Sequence, residues 1–512
     1  MPKVISVTYI SDRLGGMRHF LIASVATVSA LTFLANILGF VRELVVASRF
    51  GATATSDSFF SALSLVSMIF LIFSAGTIQL ALIPRYEALR SANDGARAVG
   101  LARSVGVMLI TVLGVMTAGV FIFAHTLAKV AFPGFEAERL TLTVEQIRIM
   151  AAMIALVGTG AFFQSILNAH REFWQGALVP VLINVLVIAS VLLLSAHIGV
   201  TALAWGMVAG ASLWILLLAP YALPWLAGKS ASTSGDLRCV LIAFASIGGV
   251  TALDQLVAVY QKSLASGYES GIISALSYGG RLVGLPMGFL GLAMATVMLP
   301  AFVAAVARGR REETTRVFET GLLGLFAVIL PIGATLVVLA EAIVALLFAR
   351  GAFDQTATEN TALALRWYAM GLPAQVAMPL MARMFFAVER PGLVIAIGAV
   401  SAVIWLVLTN LLVGASGWIG IAQATLIYAY VHAFIQLAYL KMAVDVDMQR
   451  LAFSVGRLLL GLPVLVALLQ IPLPNDLVGL AVKMPLGMAA YLATIGLLGD
   501  RSVLNLLRLR WP

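Results

Sequence analysis

Charge is what this chain has least of. Only 11% of its 512 residues are Asp, Glu, Lys or Arg, against 61% hydrophobic, and the mean hydropathy is +1.03. Soluble domains carry roughly 25% charged residues, so there is too little polar surface here to cover a water-soluble core. Cysteine is almost missing as well. Cys239 stands alone, which excludes an intramolecular disulfide and a cysteine-based metal cluster. The five histidines, His19, His125, His170, His197 and His432, are scattered without metal-ligand spacing. Gly228-Lys229-Ser230 resembles the end of a phosphate-binding loop, but Leu223 stands where the first glycine would be needed, so no ATPase site is supported. No paired carboxylates and no nucleophile–base constellation argue for an enzyme. No metal or organic cofactor is implied.

Apolar runs near twenty residues fill the space that charge leaves. They fall at about 20–48, 58–83, 99–127, 146–168, 176–197, 199–225, 239–262, 271–307, 317–348, 360–387, 392–413, 417–440, 452–471 and 477–498. This predicts an all-α polytopic membrane protein of about fourteen transmembrane helices. The polar stretch 1–19 runs into an apolar segment too long for a signal-peptide core, so an uncleaved first helix is expected. The net charge of +9 comes from short basic clusters between the runs, a pattern of inner loops rather than of nucleic-acid binding. Threaded through fourteen spans, 21 of the 32 lysines and arginines fall in inner loops and tails, 8 outside and 3 within helices. Both termini are therefore expected on the cytoplasmic side.

Gly228 to Gly235 is the one Ser/Thr/Gly-rich linker. It suggests an N-terminal lobe at 1–228, a second lobe at 236–450, and two further helices with a tail at 451–512. Ser61-Ala62-Leu63, Gly76 and Leu82-Ile83-Pro84 are echoed by Ser274-Ala275-Leu276, Gly291 and Met298-Leu299-Pro300; Ala169-His170-Arg171-Glu172 is echoed around Ala387 to Arg390. Two repeated six-helix lobes around a central cavity are a common transporter plan.

Intramembrane charges are costly and mark function by default. Arg42 and Glu43 sit deep in the first apolar run, and Arg281 lies in a Gly-rich stretch ahead of Pro286. One arginine from each half suits a shared anionic ligand, because a guanidinium grips phosphate oxygens as a bidentate fork. The competing reading pairs Arg42 with Glu43 and leaves both to order helix packing. Asp254, beside Thr251 and Gln255, is the candidate for a coupling Na⁺ or H⁺; its bland alternative is a cavity-lining polar residue. Arg383 is expected to snorkel. Arg49 and Asp57 are expected to pair at the first outer turn. Gly206-x-x-x-Gly210 and Gly284-x-x-x-Gly288 read as helix-packing contacts.

Leu38-Gly39-Phe40-Val41-Arg42-Glu43, Phe50-Gly51-Ala52, Ser56 to Phe60 and Phe73-Ser74-Ala75-Gly76 resemble the MurJ/MviN lipid II flippase family of the multidrug/oligosaccharidyl-lipid/polysaccharide exporter superfamily. Ser165 to Ala169, Ala202 to Gly206, Ser274 to Pro300 and Leu347 to Phe353 continue the likeness. The resemblance implies a bacterial inner-membrane flippase that moves an undecaprenyl-pyrophosphate-linked saccharide from the inner to the outer leaflet by alternating access. It implies that Arg42 and Arg281 hold the pyrophosphate or nearby sugar anions, with Asn36 and Glu43 beside them, and that the last two helices offer a groove for the lipid tail. Cation coupling or membrane potential would supply the energy. The expected partners are membrane lipids and cell-wall or polysaccharide synthesis enzymes, with the flippase itself a monomer. The likeness breaks at Asn36, where the family usually has arginine, at Phe70 and Leu71, and at Ala75, Gly280 and Gly284, where acids are frequent. The headgroup stays open between lipid II and another lipid-linked saccharide. The alternatives are a cation-coupled drug exporter of the same superfamily, centred on Asp254, and a non-transporting scaffold of a polysaccharide synthase.

Overall fold

In a bilayer every backbone N–H and C=O must find its partner within the chain, and a helix provides that partner locally. The computed structural model describes residues 7–231, 234–472, 474 and 476–498, and among these residues there are helices and no strands. Lys3, Arg501, Arg508 and Arg510 of the expected inner tails lie outside the described residues. All fourteen expected segments fall on helix, and twelve stretches are long and apolar enough to cross a membrane.

Contacts group the chain into two units. The first holds α1 (Val7–Phe50), α2 (Ala54–Ile72), α3 (Ala75–Ser91), α4 (Gly95–Ile122), α5 (Ala124–Ala131), α6 (Ala137–Ala169), α7 (Trp174–Ile198), α8 (Thr201–Leu226) and α9 (Ser234–Ala265). At its centre is α6, 33 residues long, which packs against α2, α3, α4, α5 and α8. Close approach is possible because Gly158 and Gly160 leave room for the side chains of Leu113 and Trp214. Both ends of α9 are tied to this unit. Near its start, Asp236 takes Arg85 of α3 and Arg97 of α4, the latter at 2.7 Å; near its end, Lys262 donates to the Phe60 carbonyl at 2.9 Å.

The second unit holds α10 (Ile272–Pro286), a π-helical turn Met287–Gly291, α11 (Leu292–Ala307), α12 (Arg311–Val338), α13 (Ala340–Phe348), α14 (Gln355–Ala387), α15 (Pro391–Ser416), α16 (Ile419–Val444), α17 (Met448–Leu460), α18 (Leu462–Leu469) and α19 (Leu477–Leu497). Its centre is α14, also 33 residues long, packed against α10, α11, α12, α13 and α16. The turn Gly51–Thr53 groups here too. Gly51 has a φ of +63°, and a Cβ on it would fall 2.2 Å from the Ala352 carbonyl oxygen. The Tyr278 hydroxyl donates to the Gly51 carbonyl at 3.3 Å. Glycine is the residue that tolerates both demands.

Five of the expected segments are split. The break at Phe73–Ser74 divides α2 from α3, Phe123 divides α4 from α5, Leu339 divides α12 from α13, and Gly461 divides α17 from α18. The fifth break is the π-helical turn after Pro286, whose missing N–H and bulky ring disturb the helical ladder. Loop aspartates cap the helices that follow: Asp354 accepts from the Ala357 N–H at 2.7 Å and Asp476 from that of Gly479 at 2.8 Å.

Two packing expectations separate. A Cβ on Gly206 would meet Ser190 at 2.9 Å and the Val187 Cα at 3.0 Å, and one on Gly210 would meet the Ile183 Cα at 3.1 Å, so this pair seats α8 on α7. For Gly284 and Gly288 a Cβ meets nothing within 4 Å. The packing reading fails there, because both residues lie on exposed surface.

Candidate functional site

Arg42 lies on α1, in the part of that helix that packs on α7. Its Nη1 donates to the Asn184 Oδ1 at 3.1 Å, and its Nη2 to the Glu43 Oε1 at 2.7 Å. Asn184, on α7, is buried and donates in turn to the Ala35 carbonyl at 3.0 Å. The amide therefore fixes the guanidinium from one side and the carboxylate from the other. Of the Arg42 side chain 21% stays accessible, against 11% for Glu43. The neighbour pairing weighed from sequence is thus present. It uses only part of a guanidinium that carries five donors, so binding and ordering are not exclusive. Asn36, about one and two-thirds turns earlier on α1, is exposed.

A second set of charges lies in the same unit. Asp57 is fully buried at the start of α2, 3.8 Å from Arg139 of α6, and Arg139 stacks over the Phe135 ring at 5.0 Å. Arg49, the expected partner of Asp57, instead donates from Nε to the Ser195 Oγ at 2.8 Å. Arg49 lies at the end of α1, where it reaches α7 across the α1–α7 packing. Lys262 on α9 donates to the Phe60 carbonyl and feels the charges of both Asp57 and Glu43. Glu43, Asp57, Arg139 and Lys262 thus bring carboxylates and cations from α1, α2, α6 and α9 into one region.

Arg139, Lys262 and Lys483 are among the 8 cations counted from sequence on the outer side rather than within helices. The structure puts each on a helix, with Arg139 and Lys483 buried and Lys262 half-buried. Helix ends extend beyond the apolar run that reveals them, so a charge within the first or last two turns reads as loop. The signal that could have found Lys262 is its place at the far end of an apolar run with two carboxylates, Glu43 and Asp57, in the opening helices. Asn184 carried no signal at all, since a lone asparagine in an apolar run reads as packing.

Asp254 is exposed on α9, and among the described residues no group of three or more His, Cys, Asp or Glu side chains gathers there or elsewhere. Its neighbour Thr251 turns its hydroxyl to the Ile247 carbonyl at 3.4 Å. In the second unit, Arg281 is exposed on α10, just over a turn before Pro286 and the π-helical turn. The guanidinium of Arg383 lies 6.0 Å from the Phe386 ring centre.

Outside the spans, His170 sits at the end of α6, stacked on Trp225 at 3.6 Å and 3.1 Å from the Tyr86 hydroxyl. Burial, with the nearby Arg90 charge second, lowers its pKa to about 4. The ring is therefore neutral at physiological pH.

Residues 46–475 match the profile of the family described as Lipid II flippase MurJ. The probable lipid II flippase MurJ of Rhizobium meliloti is 29% identical over 443 residues, covering 82% of this chain and 80% of its own. That of Vibrio cholerae is 25% identical over 514 residues, covering 94% and 97%. Among solved structures, a lipid II flippase MurJ in an inward closed conformation superposes with a TM-score of 0.80 at 21% identity, covering 94% of this chain and 99% of its own. An inward-facing multidrug resistance MATE transporter of the MOP superfamily gives 0.67 at 17% identity, over 81% and 94%.

Proposed function

This chain belongs to the lipid II flippase MurJ family, and from that premise we propose that it translocates an undecaprenyl-pyrophosphate-linked saccharide, lipid II or a close relative, from the inner to the outer leaflet. It is a multi-pass membrane transporter, not an enzyme. The observation that carries the proposal is the state of Arg42: a guanidinium within a membrane-spanning helix, oriented by Asn184 and Glu43 yet still part exposed. A group so held is pre-organised, and an incoming phosphate oxygen meets donors already aimed.

In this reading Arg42 from the first repeat and Arg281 from the second grip the pyrophosphate, while the lipid tail stays in the bilayer. Alternating access then carries the headgroup across. Asn36 and Glu43 face the same ligand, Glu43 tempering the positive charge so that release follows binding. Asp254 is where a coupling Na⁺ or H⁺ would bind, with membrane potential the alternative driving force. Both termini lie in the cytoplasm, the protein works as a monomer, and cell-wall or polysaccharide synthesis enzymes supply and consume the lipid.

The test is complementation of a bacterium depleted of its lipid II flippase. The wild-type chain restores growth; Arg42→Ala and Arg281→Ala do not, although both reach the membrane in normal amounts. Rescue that survives both substitutions would sink the assignment of these arginines. Failure of the wild-type chain itself, with lipid-linked precursors of another polysaccharide accumulating in its native host on deletion, would move the headgroup away from lipid II.

A further inference from the structure

Between α3, α4 and α9 of the first unit lies a wholly apolar cavity of about 250 Å³. Its lining includes Leu82 of α3, Val105 and Met108 of α4, and Leu241 of α9. The rings of Phe73 and Phe244, 5.2 Å apart, also line it and tie α9 to the turn before α3. The cavity is smaller than the roughly 300–1,000 Å³ of a typical small-molecule pocket, and with no polar lining it suits a hydrocarbon chain. It opens sideways through wall residues that remain exposed, Leu241 at 38% and Val112 of α4 at 41%. In a membrane-spanning helix such apolar exposed surface meets lipid.

Each of the three helices carries an arginine on the same stripe as its cavity-lining residue. Arg85 follows Leu82 by three positions on α3, Arg238 precedes Leu241 by three on α9, and Arg97 precedes Val105 by eight on α4. Residues three, four or eight apart share a helix face. Asp236 binds both Arg85 and Arg97 and lies two positions before Arg238, so the three arginines stand at the same end of the cavity. Asp236, 1% exposed, ties two of them together through Arg85 and Arg97, leaving 44% and 43% of those side chains accessible. Arg238 is exposed and has no ion-pair partner among the described residues. With Arg97 also held by Asp94 at 3.5 Å, Arg238 is the cation left over.

We propose that this is a binding site for one anionic phospholipid, with one of its two acyl chains in the cavity, the other in the surrounding bilayer, and its phosphate at the Arg85–Arg97–Arg238 rim. It is separate from the transported lipid, and it would hold α9 against α3 and α4. Basic residues at a membrane surface attract anionic headgroups by about 1 kcal/mol each, which at room temperature is a preference of about fivefold per charge.

The test is native mass spectrometry of the purified full-length protein, delipidated and then titrated with phosphatidylglycerol or phosphatidylcholine. The expected result is one tightly held phosphatidylglycerol, bound more strongly than phosphatidylcholine. Arg238→Gln should lower phosphatidylglycerol affinity about fivefold and leave phosphatidylcholine unchanged, while Met108→Trp, which fills the cavity, should lose both. Melting in lipid-free detergent checks that Met108→Trp folds; if it does not, Val112→Phe at the open wall carries the same test. Equal binding of the two lipids, wild-type affinity in the filled variant, or full competition by glycerol phosphate without chains would each overturn the site.

Discussion

Arg42 is held by two side chains, of which sequence adjacency reveals only one. Glu43 adjoins it, but Asn184 comes from 142 positions away. A hydrogen bond to a charged group is worth about 1.5–3 kcal/mol, so losing one that acts on the ligand should slow translocation about tenfold or more. We expect that from Arg42→Ala, measured as lipid flipping in reconstituted vesicles. Asn184→Leu should give a smaller loss with normal insertion, since the guanidinium stays but swings about Glu43 alone. His170 makes a different kind of prediction. Its folded pKa of about 4 lies below the ordinary 6.5, so the unfolded chain takes up a proton first. The stability it contributes is complete above about pH 6.5 and drains away as pH falls toward 4. Melting temperature followed across that window should fall less in His170→Gln, which keeps a partner for Tyr86 and does not titrate.

Helices are where the motif readings separate. Two Gly-x-x-x-Gly pairs look alike in sequence, yet one faces a neighbouring backbone and the other faces open surface. Gly206→Ala should therefore lower stability by about 1–3 kcal/mol through overpacking against Val187 and Ser190. Gly284→Ala should be neutral or stabilising by up to about 1 kcal/mol, the ordinary gain of alanine over glycine within a helix. Thermal unfolding of the two variants side by side checks the contrast. The breaks in α2/α3, α4/α5 and α12/α13 were not legible, because hydropathy does not sense a single residue of altered backbone. The break after Pro286 was legible, because proline cannot donate the missing bond.

The molecule as a whole repeats one plan. A long helix, two broken ones and three unbroken ones make up α1 to α8, and the same order recurs in α9 to α16. Contacts nevertheless put α9 with the first unit, since Asp236 and Lys262 anchor its two ends there. The linker before it is held as well, with the Ala231 N–H donating to the Ala96 carbonyl at 3.1 Å. The proposed cytoplasmic termini place the linker inside the cell, so Lys229→Cys in a Cys239→Ser background should react with a membrane-impermeant thiol reagent in inside-out vesicles and stay unlabelled in intact cells. Asp254→Asn should reduce transport and remove its dependence on the Na⁺ or proton gradient. Gradient dependence that survives in that variant would place the coupling at another residue, and wild-type transport that follows voltage without either gradient would assign the driving force to membrane potential.

Apolar runs and the poverty of charge were enough to determine helices and their membrane setting, because lipid permits few backbone solutions. The arginine at 42 announced itself for the same reason: a charge in an apolar run is too costly to be idle. Only the tertiary structure decided who holds it. Asn184 for Arg42, Ser195 for Arg49 and Arg139 for Asp57 all come from helices distant in the chain, and polar side chains buried across such distances leave no periodic trace in sequence.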